Sequence, residues 1–473
     1  MAELTELPWF TRFLDAVSTT YRSVFAAPFP KLIYAGLDPA AIPQVPIKPF
    51  HPGVVGSGTG PNAGIRQLKM DVEEATHEKG VTIAGVSNWR LPINEADGAS
   101  ITLYEHKYLT TNHYGDPIAD VYAVIARPNN AVLAVADGCN WGPKPRQAAR
   151  CAIRGSIEYL NQKLYDGASM PHSAQELIRT MLRSFHSAQK MIVQNDGTTT
   201  TLCVAVVCEL TEPKGDHRWG LCVVSVGDSP CFVWQSKTGL VHEVTSAAHE
   251  GRARDMRDSG GCLGANFGSE PDLGNLICCF VPVSDGDIVF LTSDGVSDNF
   301  DPVIMHEGSV APTRPPEGRE EAGAGLPAFN AKQRQARLLT NISELLQWTK
   351  FSFGKDQLDA TDVREAIVSY VIDVTTEKRS FLEKSEKELH GPGISEKEKR
   401  DRERSVQKEC KSYPGKLDHA TVAAFKVGPL VGRPQAVEQT VVTAPSRMRE
   451  ALATYTTMKR TIRARQYLHD RGE

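Results

Sequence analysis

The stretch DGDIVFLTSDGVSDN, residues 285–299, places a carboxylate where an apolar run ends. Residues 288–292, IVFLT, are typical of a strand covered on both faces. Asp294 and Gly295 follow at once, and Asp298 comes one helical turn later. A single Asp-Gly pair is more often a turn than a ligand site, because Asp bonds its own backbone and Gly accepts a positive φ. Taken alone, this stretch leaves the role of Asp294 open.

Three further segments repeat the design of a strand with a carboxylate at its end. They are VLAVADG with Asp137, VVSVGDS with Asp228, and LDHATVAAF with Asp418 just before the strand. A carboxylate at a buried strand end costs solvation energy unless a cation pairs with it, and we expect no matching set of Arg or Lys at these strands. Mg²⁺ and Mn²⁺ prefer oxygen ligands of this kind. Together the segments favour a metal site over independent turns.

The order of elements predicts two packed sheets with helices outside. Between about 80 and 300 the chain consists of apolar, β-like runs, interrupted by helical periodicity at about 144–164 and 172–194. We divide the chain of 473 residues into three parts. These are an N-terminal helix with a Pro/Gly-rich lead-in (1–79), a core domain (80–428) with a charged, helical insert at about 301–410, and a tail with a mildly basic helix (429–473).

Composition excludes several classes of protein. The formal net charge of −4 argues against a general nucleic-acid binder, so we expect no nucleic-acid partner. No apolar run approaches the roughly 18 residues of a transmembrane helix, and the first ten residues lack the pattern of a signal peptide. The ten cysteines show no CxxC spacing, which indicates a reducing compartment. We therefore expect a cytoplasmic or nuclear protein.

Five segments, in this order, resemble the signatures of the PP2C-type (PPM) metal-dependent protein phosphatases. They are VADGCNWG (135–142), NDGTTTTLCVAVV (195–207), VVSVGDS (223–229), DGDIVFLTSDGVSDN (285–299) and LDHATVAAF (417–425). The resemblance covers roughly residues 80–428. It implies an α+β fold, a four-layer α-β-β-α sandwich of two antiparallel sheets flanked by helices. It also implies hydrolysis of phosphoserine and phosphothreonine in proteins by a metal-activated water.

The resemblance also implies roles for individual residues. Asp137 is expected to bridge two ions of Mg²⁺ or Mn²⁺, and Gly138 to offer its backbone carbonyl to one of them. Asp294 and Asp418 are the expected ligands of the first metal, so Asp137, Asp294 and Asp418 are the candidate catalytic residues. Asp228 and Asp298 are the remaining acids of the pattern: Asp228 is expected to be a buried structural carboxylate near the site, and Asp298 to support the turn that follows Asp294.

The second metal needs a further acid from an upstream segment. The nearest match is NWRLPINEADGAS (88–100), which supplies Glu95 or Asp97, and we leave both open. The same segment supplies Arg90 as the candidate catalytic arginine that grips the phosphate in a bidentate fork. Arg90 fits a surface position on a strand equally well.

Two positions depart from the family pattern. Cys139 stands where many members have a histidine suited to protonating the leaving group, and Pro230 replaces an arginine. A thiol with an ordinary pKa of about 8.5 is a poor general acid near neutral pH. The chain is therefore expected to be a phosphatase of phosphoproteins or, as the alternative, a catalytically weak or inactive scaffold. In the second case a protein partner would bind the charged insert or the C-terminal helix. A purely structural sandwich is the third reading.

Overall fold

The computed structural model describes most of the chain, namely residues 33–34, 39–66, 68, 82–246, 258–307, 329–390, 394–430, 448, 451, 453–457 and 459. The predicted N-terminal helix lies outside the described residues, as do residues 308–328 of the predicted insert.

A hairpin at the centre of the chain shows why the apolar runs become strands. Its two strands, β5 (Val121–Arg127) and β6 (Asn130–Ala136), are buried along their whole length. Side chains alternate between the faces of a strand. The odd-numbered residues 121, 123 and 125 face a core under helices, and the even-numbered residues 122, 124 and 126 face a second sheet. Both faces are covered, so the run is apolar at consecutive positions.

The first sheet has eight antiparallel strands. In spatial order they are β1 (Ile33–Tyr34), β14 (Ile277–Val283), β9 (His217–Val226), β8 (Leu202–Lys214), β6, β5, β2 (Gly56–Gly60) and β3 (Arg90–Leu91). The second sheet has five, also antiparallel: β11 (Leu240–Glu243), β10 (Cys231–Gln235), β15 (Ile288–Thr292), β16 (His419–Lys426) and β4 (Ala96–Thr102). A small third sheet consists of β13 (Glu270–Asp272), β12 (Cys262–Phe267) and β7 (Thr199–Thr200).

Helices cover the outer faces of the two large sheets. Helices α1 (Pro143–Leu164) and α2 (Ala174–Gln194) pack on the first sheet, as the periodicity at 144–164 and 172–194 predicts. A short helix, α3 (Asp294–Ser297), follows β15, and α4 (Ala331–Ser352) and α5 (Ala360–Leu389) pack on the second sheet. A third core lies between the sheets. The molecule is thus the expected four-layer α-β-β-α sandwich.

Between 329 and 410 the described part of the insert consists mainly of three helices. Helices α4, α5 and α6 (Glu396–Cys410) each begin with a capping box, in which the side chains at the N-cap and three residues later bond each other's backbone N–H groups. Helix α6 buries no residue and is dense in charge, as predicted for a solvated face.

Part of the predicted C-terminal tail contacts the sandwich. Met448 and Tyr455 are buried against the second-sheet core, and the Trp348 indole of α4 donates a hydrogen bond to the Ala451 carbonyl at 3.1 Å. The Lys459 ammonium pairs with Glu344 of α4. These contacts bury residues of the C-terminal helix, which the sequence analysis proposes as a binding site for a protein partner. In the described part of the chain, no helix is both long and apolar enough to cross a bilayer.

Candidate functional site

Two carboxylates meet at one end of the central hairpin. Asp137 directly follows β6 and Asp120 directly precedes β5. Val121 pairs with Ala136 across the antiparallel hairpin, so the two acids lie at the same edge of the first sheet. Sequence analysis predicts Asp137 as a site residue but misses Asp120.

Neighbouring threonines fix the backbone at Asp137. The Asp137 carbonyl accepts hydrogen bonds from the Thr200 hydroxyl at 2.8 Å and from the Thr201 N–H at 2.9 Å. The Asp137 N–H donates to the Thr201 hydroxyl at 3.1 Å. A Cβ on Gly138 would lie 2.5 Å from the Pro145 carbonyl oxygen, so only glycine lets α1 start this close. The threonine-rich segment thus holds the Asp-Gly turn rigidly.

The second sheet brings its carboxylates to the same place. Asp294 opens α3 after β15, and Asp418 precedes β16, which pairs with β15. The Ser293 N–H donates to the Thr421 carbonyl at 3.0 Å and joins the two segments. Asp298 lies one turn after Asp294 and is completely buried. Asp228, partly buried, follows β9 and adds its negative charge to the field at Asp137. We call these six residues, Asp120, Asp137, Asp228, Asp294, Asp298 and Asp418, the carboxylate cluster.

A lysine lies inside the carboxylate cluster. The Lys416 ammonium contacts carboxylate oxygens of Asp294 at 2.5 Å, Asp298 at 2.9 Å and Asp418 at 2.9 Å. Burial alone would lower its pKa, but the three negative charges outweigh that effect and raise the pKa above its ordinary value. The expectation that no lysine accompanies these strands is therefore wrong: Lys416 stands two residues before Asp418.

Asp120 and Asp137, on the first sheet, form no ion pair with a Lys or Arg of the described residues. Asp120 is fully buried, and neither of its carboxylate oxygens receives a hydrogen bond from the described residues. Burial, together with Asp418 and Asp294, raises its pKa to about 7, although the nearby hydroxyls of Ser293 and Thr421 offset part of the rise. Burial and the other acids of the cluster also raise the pKa of Asp137 well above its ordinary value. When Asp120 or Asp137 is ionised, no ion pair with a described residue offsets its charge.

The structure does not bring Glu95 and Asp97 to the cluster. Strand β4 runs away from it: Thr102 pairs with His419, beside the site, whereas Asp97 pairs with Ala424. Five residues of strand place Asp97 roughly 17 Å away. Asp97 instead forms an ion pair with Arg364 of α5 at 2.8 Å. Glu95 lies beyond Asp97, so Asp120 takes the place that the sequence assigns to one of these two acids.

Arg90 also lies apart from the cluster. It is exposed on edge strand β3, level with Gly58 and, through β2, with Val124. Two strand spacings and four residues separate it from Asp120, about 16 Å between backbones. This is the surface position that the sequence analysis keeps open for it.

The residues after Gly138 form a wall rather than an acid catalyst. Burial raises the pKa of the Cys139 thiol to about 12. Asn140 adopts a left-handed backbone, with φ of 71°, and turns Trp141 outward, where 59% of its surface is exposed. The Trp141 indole donates to the Tyr104 hydroxyl at 2.9 Å, and this hydroxyl donates to Asp418 at 3.1 Å. Trp141 is thus connected to the carboxylate cluster through the Tyr104 hydroxyl.

An open cleft of about 560 Å³ lies at this wall. The residues that line it include Tyr104, Trp141, Val303, Lys378 and Lys416. Val303 is half exposed. The cleft therefore reaches Lys416 and Tyr104, which both contact Asp418 of the carboxylate cluster.

The two-metal centre implied by the sequence does not fit these residues. Among the described residues, no three Asp, Glu, His or Cys side chains are arranged to hold a metal ion. Three of the acids already surround the Lys416 ammonium. The Asp120–Asp137 pair does fit one ion, because Mg²⁺ binds through one or two carboxylates and keeps several waters. The donor set therefore fits one divalent cation and not two.

Comparison with known proteins supports the resemblance. The family model for Protein phosphatase 2C matches residues 110–329, which include Asp120, Asp137 and Asp294. A curated relative, PP2C-like domain-containing protein CG9801 of Drosophila melanogaster, is 31% identical over 441 residues. The alignment covers 73% of this chain and 62% of that protein, so the chain spans less than two thirds of its relative.

Solved structures with the same type of domain also align. The alignment with the SiaA-PP2C domain of Pseudomonas aeruginosa (11% identity, TM-score 0.32) covers 71% of this chain and 87% of that domain. The photosystem II phosphatase PBCP (13%, 0.34) covers 71% and 100%, and the S. agalactiae serine/threonine phosphatase (13%, 0.33) covers 70% and 100%. Scores this low carry no argument about the site. On its architecture and on the two sequence matches, the chain contains a PP2C-type phosphatase domain.

Proposed function

We propose that the domain hydrolyses phosphoserine and phosphothreonine in proteins with the help of one divalent cation, Mg²⁺ or Mn²⁺, bound by Asp120 and Asp137. The observation that supports this proposal is the position of two acids at one sheet edge: fully buried Asp120, whose carboxylate oxygens accept no hydrogen bond from the described residues, and partly buried Asp137. When bound, such a cation supplies charge to the phosphoryl oxygens and lowers the pKa of a bound water.

The residues of the chain position this chemistry and neutralise charge. Thr200 and Thr201 hold the Asp137 backbone, and the Asp137 side chain therefore keeps its place at the strand end. Lys416 neutralises part of the negative charge that would otherwise repel a phosphate dianion from the cleft. Arg90 does not take part in binding the phosphate, because it lies on a distant edge strand.

Three described side chains beside the cluster, those of Cys139, His419 and Tyr104, are poorly suited to protonate the leaving group. The Cys139 thiol has a pKa of about 12, and buried His419 has a pKa lowered by burial to about 4, so it is neutral at pH 7. Burial and Asp418 raise the pKa of Tyr104 above its ordinary value. Water from the cleft would then protonate the leaving oxygen, so esters of acidic alcohols are expected to react fastest.

A second candidate is the catalytically weak or inactive scaffold. Lys416 favours it, because the ammonium takes the oxygens that sequence analysis assigns to the first metal. The exposed, highly charged α6 offers a surface for a protein partner in that case. All ten cysteines are free, which fits the reducing environment of the cytoplasm or nucleus under either function.

Hydrolysis of p-nitrophenyl phosphate and of a phosphothreonine peptide, with Mn²⁺ or with EDTA, tests the proposal. We expect a Mn²⁺-dependent rate that is higher for p-nitrophenyl phosphate and is lost in Asp137→Asn and Asp120→Asn. Asp97→Asn is the matched control, because it removes a carboxylate by the same substitution roughly 17 Å away along β4. A rate that persists in EDTA or in Asp137→Asn contradicts the proposal. No rate under any condition leaves the scaffold as the function.

A further inference from the structure

The Lys416 ammonium has the surroundings that a bound cation would have. Three carboxylate oxygens from two chain segments lie 2.5–2.9 Å from its nitrogen. The ammonium donates hydrogen bonds to Asp294 and Asp298 and forms an ion pair with Asp418. The Lys416 side chain is 19% exposed and the Asp298 side chain is completely buried, so water screens these contacts little.

A buried amide holds the lysine backbone in place. Asn299, which is fully buried, accepts the Lys416 N–H at 2.9 Å and donates to the Lys416 carbonyl at 3.0 Å. The same amide donates to the Gly295 carbonyl at 2.7 Å. The turn that carries Asp294 and Asp298 is thereby tied to the backbone of Lys416. The backbone from which the Lys416 side chain extends is therefore fixed relative to Asp294 and Asp298.

We infer that Lys416 is a built-in cation that replaces one metal ion of the site, holding Asp294, Asp298 and Asp418 in place and excluding a divalent cation from them. A metal ion at these oxygens would have to displace the ammonium or lie directly against its positive charge. The inference rests on the proposed function only for the position of the other cation, at Asp120 and Asp137.

Counting Mn²⁺ ions per chain by equilibrium dialysis tests the inference. We expect Lys416→Ser to bind one Mn²⁺ more than the unaltered protein. Lys411→Ser is the matched control, because Lys411 lines the same cleft but is exposed, and we expect it to bind as many ions as the unaltered protein. We also expect Mn²⁺ to raise the melting temperature of Lys416→Ser more than that of the control. Equal numbers of ions in Lys416→Ser and the unaltered protein overturn the inference.

A second variant covers the case in which Lys416→Ser does not fold. Asp418→Asn keeps the lysine and removes a ligand that the sequence assigns to the first metal. We expect it to bind as many Mn²⁺ ions as the unaltered protein, and the loss of one ion contradicts the inference. The proposed function fails separately, when the unaltered protein binds no Mn²⁺ or when Asp137→Asn binds as many ions as the unaltered protein. The comparison between Lys416→Ser and the unaltered protein stays valid in that event.

Discussion

Replacing Asp120 by Asn is expected to stabilise the metal-free protein while removing its activity. Asp120 is fully buried and its oxygens lack hydrogen bonds from the described residues. Its pKa of about 7, against an ordinary 3.8, means that the folded state resists losing this proton. The unfolded chain loses the proton readily, so ionisation favours unfolding wherever the pH exceeds about 4.

The magnitude follows from the two pKa values. The penalty is absent below about pH 4, grows as the pH rises towards the folded-state pKa, and reaches roughly 4 kcal/mol above pH 7, at 1.36 kcal/mol per pKa unit. At about pH 5 it amounts to roughly 2 kcal/mol. Asn carries no charge and escapes the penalty, although its buried amide costs about 1–3 kcal/mol if it also finds no partner. The stability gained from Asp120→Asn should therefore be about 2–3 kcal/mol larger at pH 8 than at pH 5.

Urea unfolding in EDTA at the two pH values measures this difference. Comparing one variant with itself across pH removes the unknown contribution of the amide, since that contribution does not depend on pH. Asp97→Asn is again the control and is expected to show a much smaller change, because Asp97 is paired with Arg364 and partly exposed. A gain that is equal at both pH values, or larger at pH 5, refutes the assignment of an unneutralised, buried Asp120.

Three further substitutions test the site. Lys416→Met should lower the free energy of unfolding in EDTA by about 3–5 kcal/mol, because it leaves buried carboxylates unpaired, whereas Lys416→Arg should lower it less, as urea unfolding would show. Gly138→Ala should lower the free energy of unfolding by about 1–3 kcal/mol and abolish hydrolysis, since its Cβ would lie 2.5 Å from the Pro145 carbonyl oxygen. Gly167→Ala is the control and should change neither property, because a Cβ there meets no atom within 4 Å. Equal effects of the two substitutions would contradict the packing argument. Tyr104→Phe should leave the pH profile of p-nitrophenyl phosphate hydrolysis unchanged. Loss of the fall in rate at high pH would identify Tyr104 as the group that protonates the leaving oxygen.

The strands and helices of the sandwich follow from local patterns. The run at 288–292 and the hairpin around residues 128–129 are apolar at consecutive positions because helices and a second sheet cover them. The pairing of the strands is not local: β4 joins β16, more than 300 residues later, and no pattern within β4 indicates that partner. The acids of β4 therefore look like site residues in sequence but lie along a strand that leads away from the site.

The position of Asp120 beside Asp137 could be predicted from the sequence, although the comparison of family motifs does not identify it. The apolar runs on either side of Pro128 and Asn129 predict a hairpin with a two-residue connection. Counting back from that connection aligns Val121 with Ala136 and puts Asp120 next to Asp137. The register of a tight hairpin thus locates an acid that the spacing of the family motif does not.

Lys416 divides the carboxylate cluster into two halves with different needs. On the second sheet, one ammonium meets three carboxylates, so the chain itself offsets part of the negative charge of this half. On the first sheet, Asp120 and Asp137 depend on protonation or on a cation from solution. Folding and ion binding are then separate properties of the site. We therefore expect the sandwich to fold without added metal, and a divalent cation to change only the state of Asp120 and Asp137.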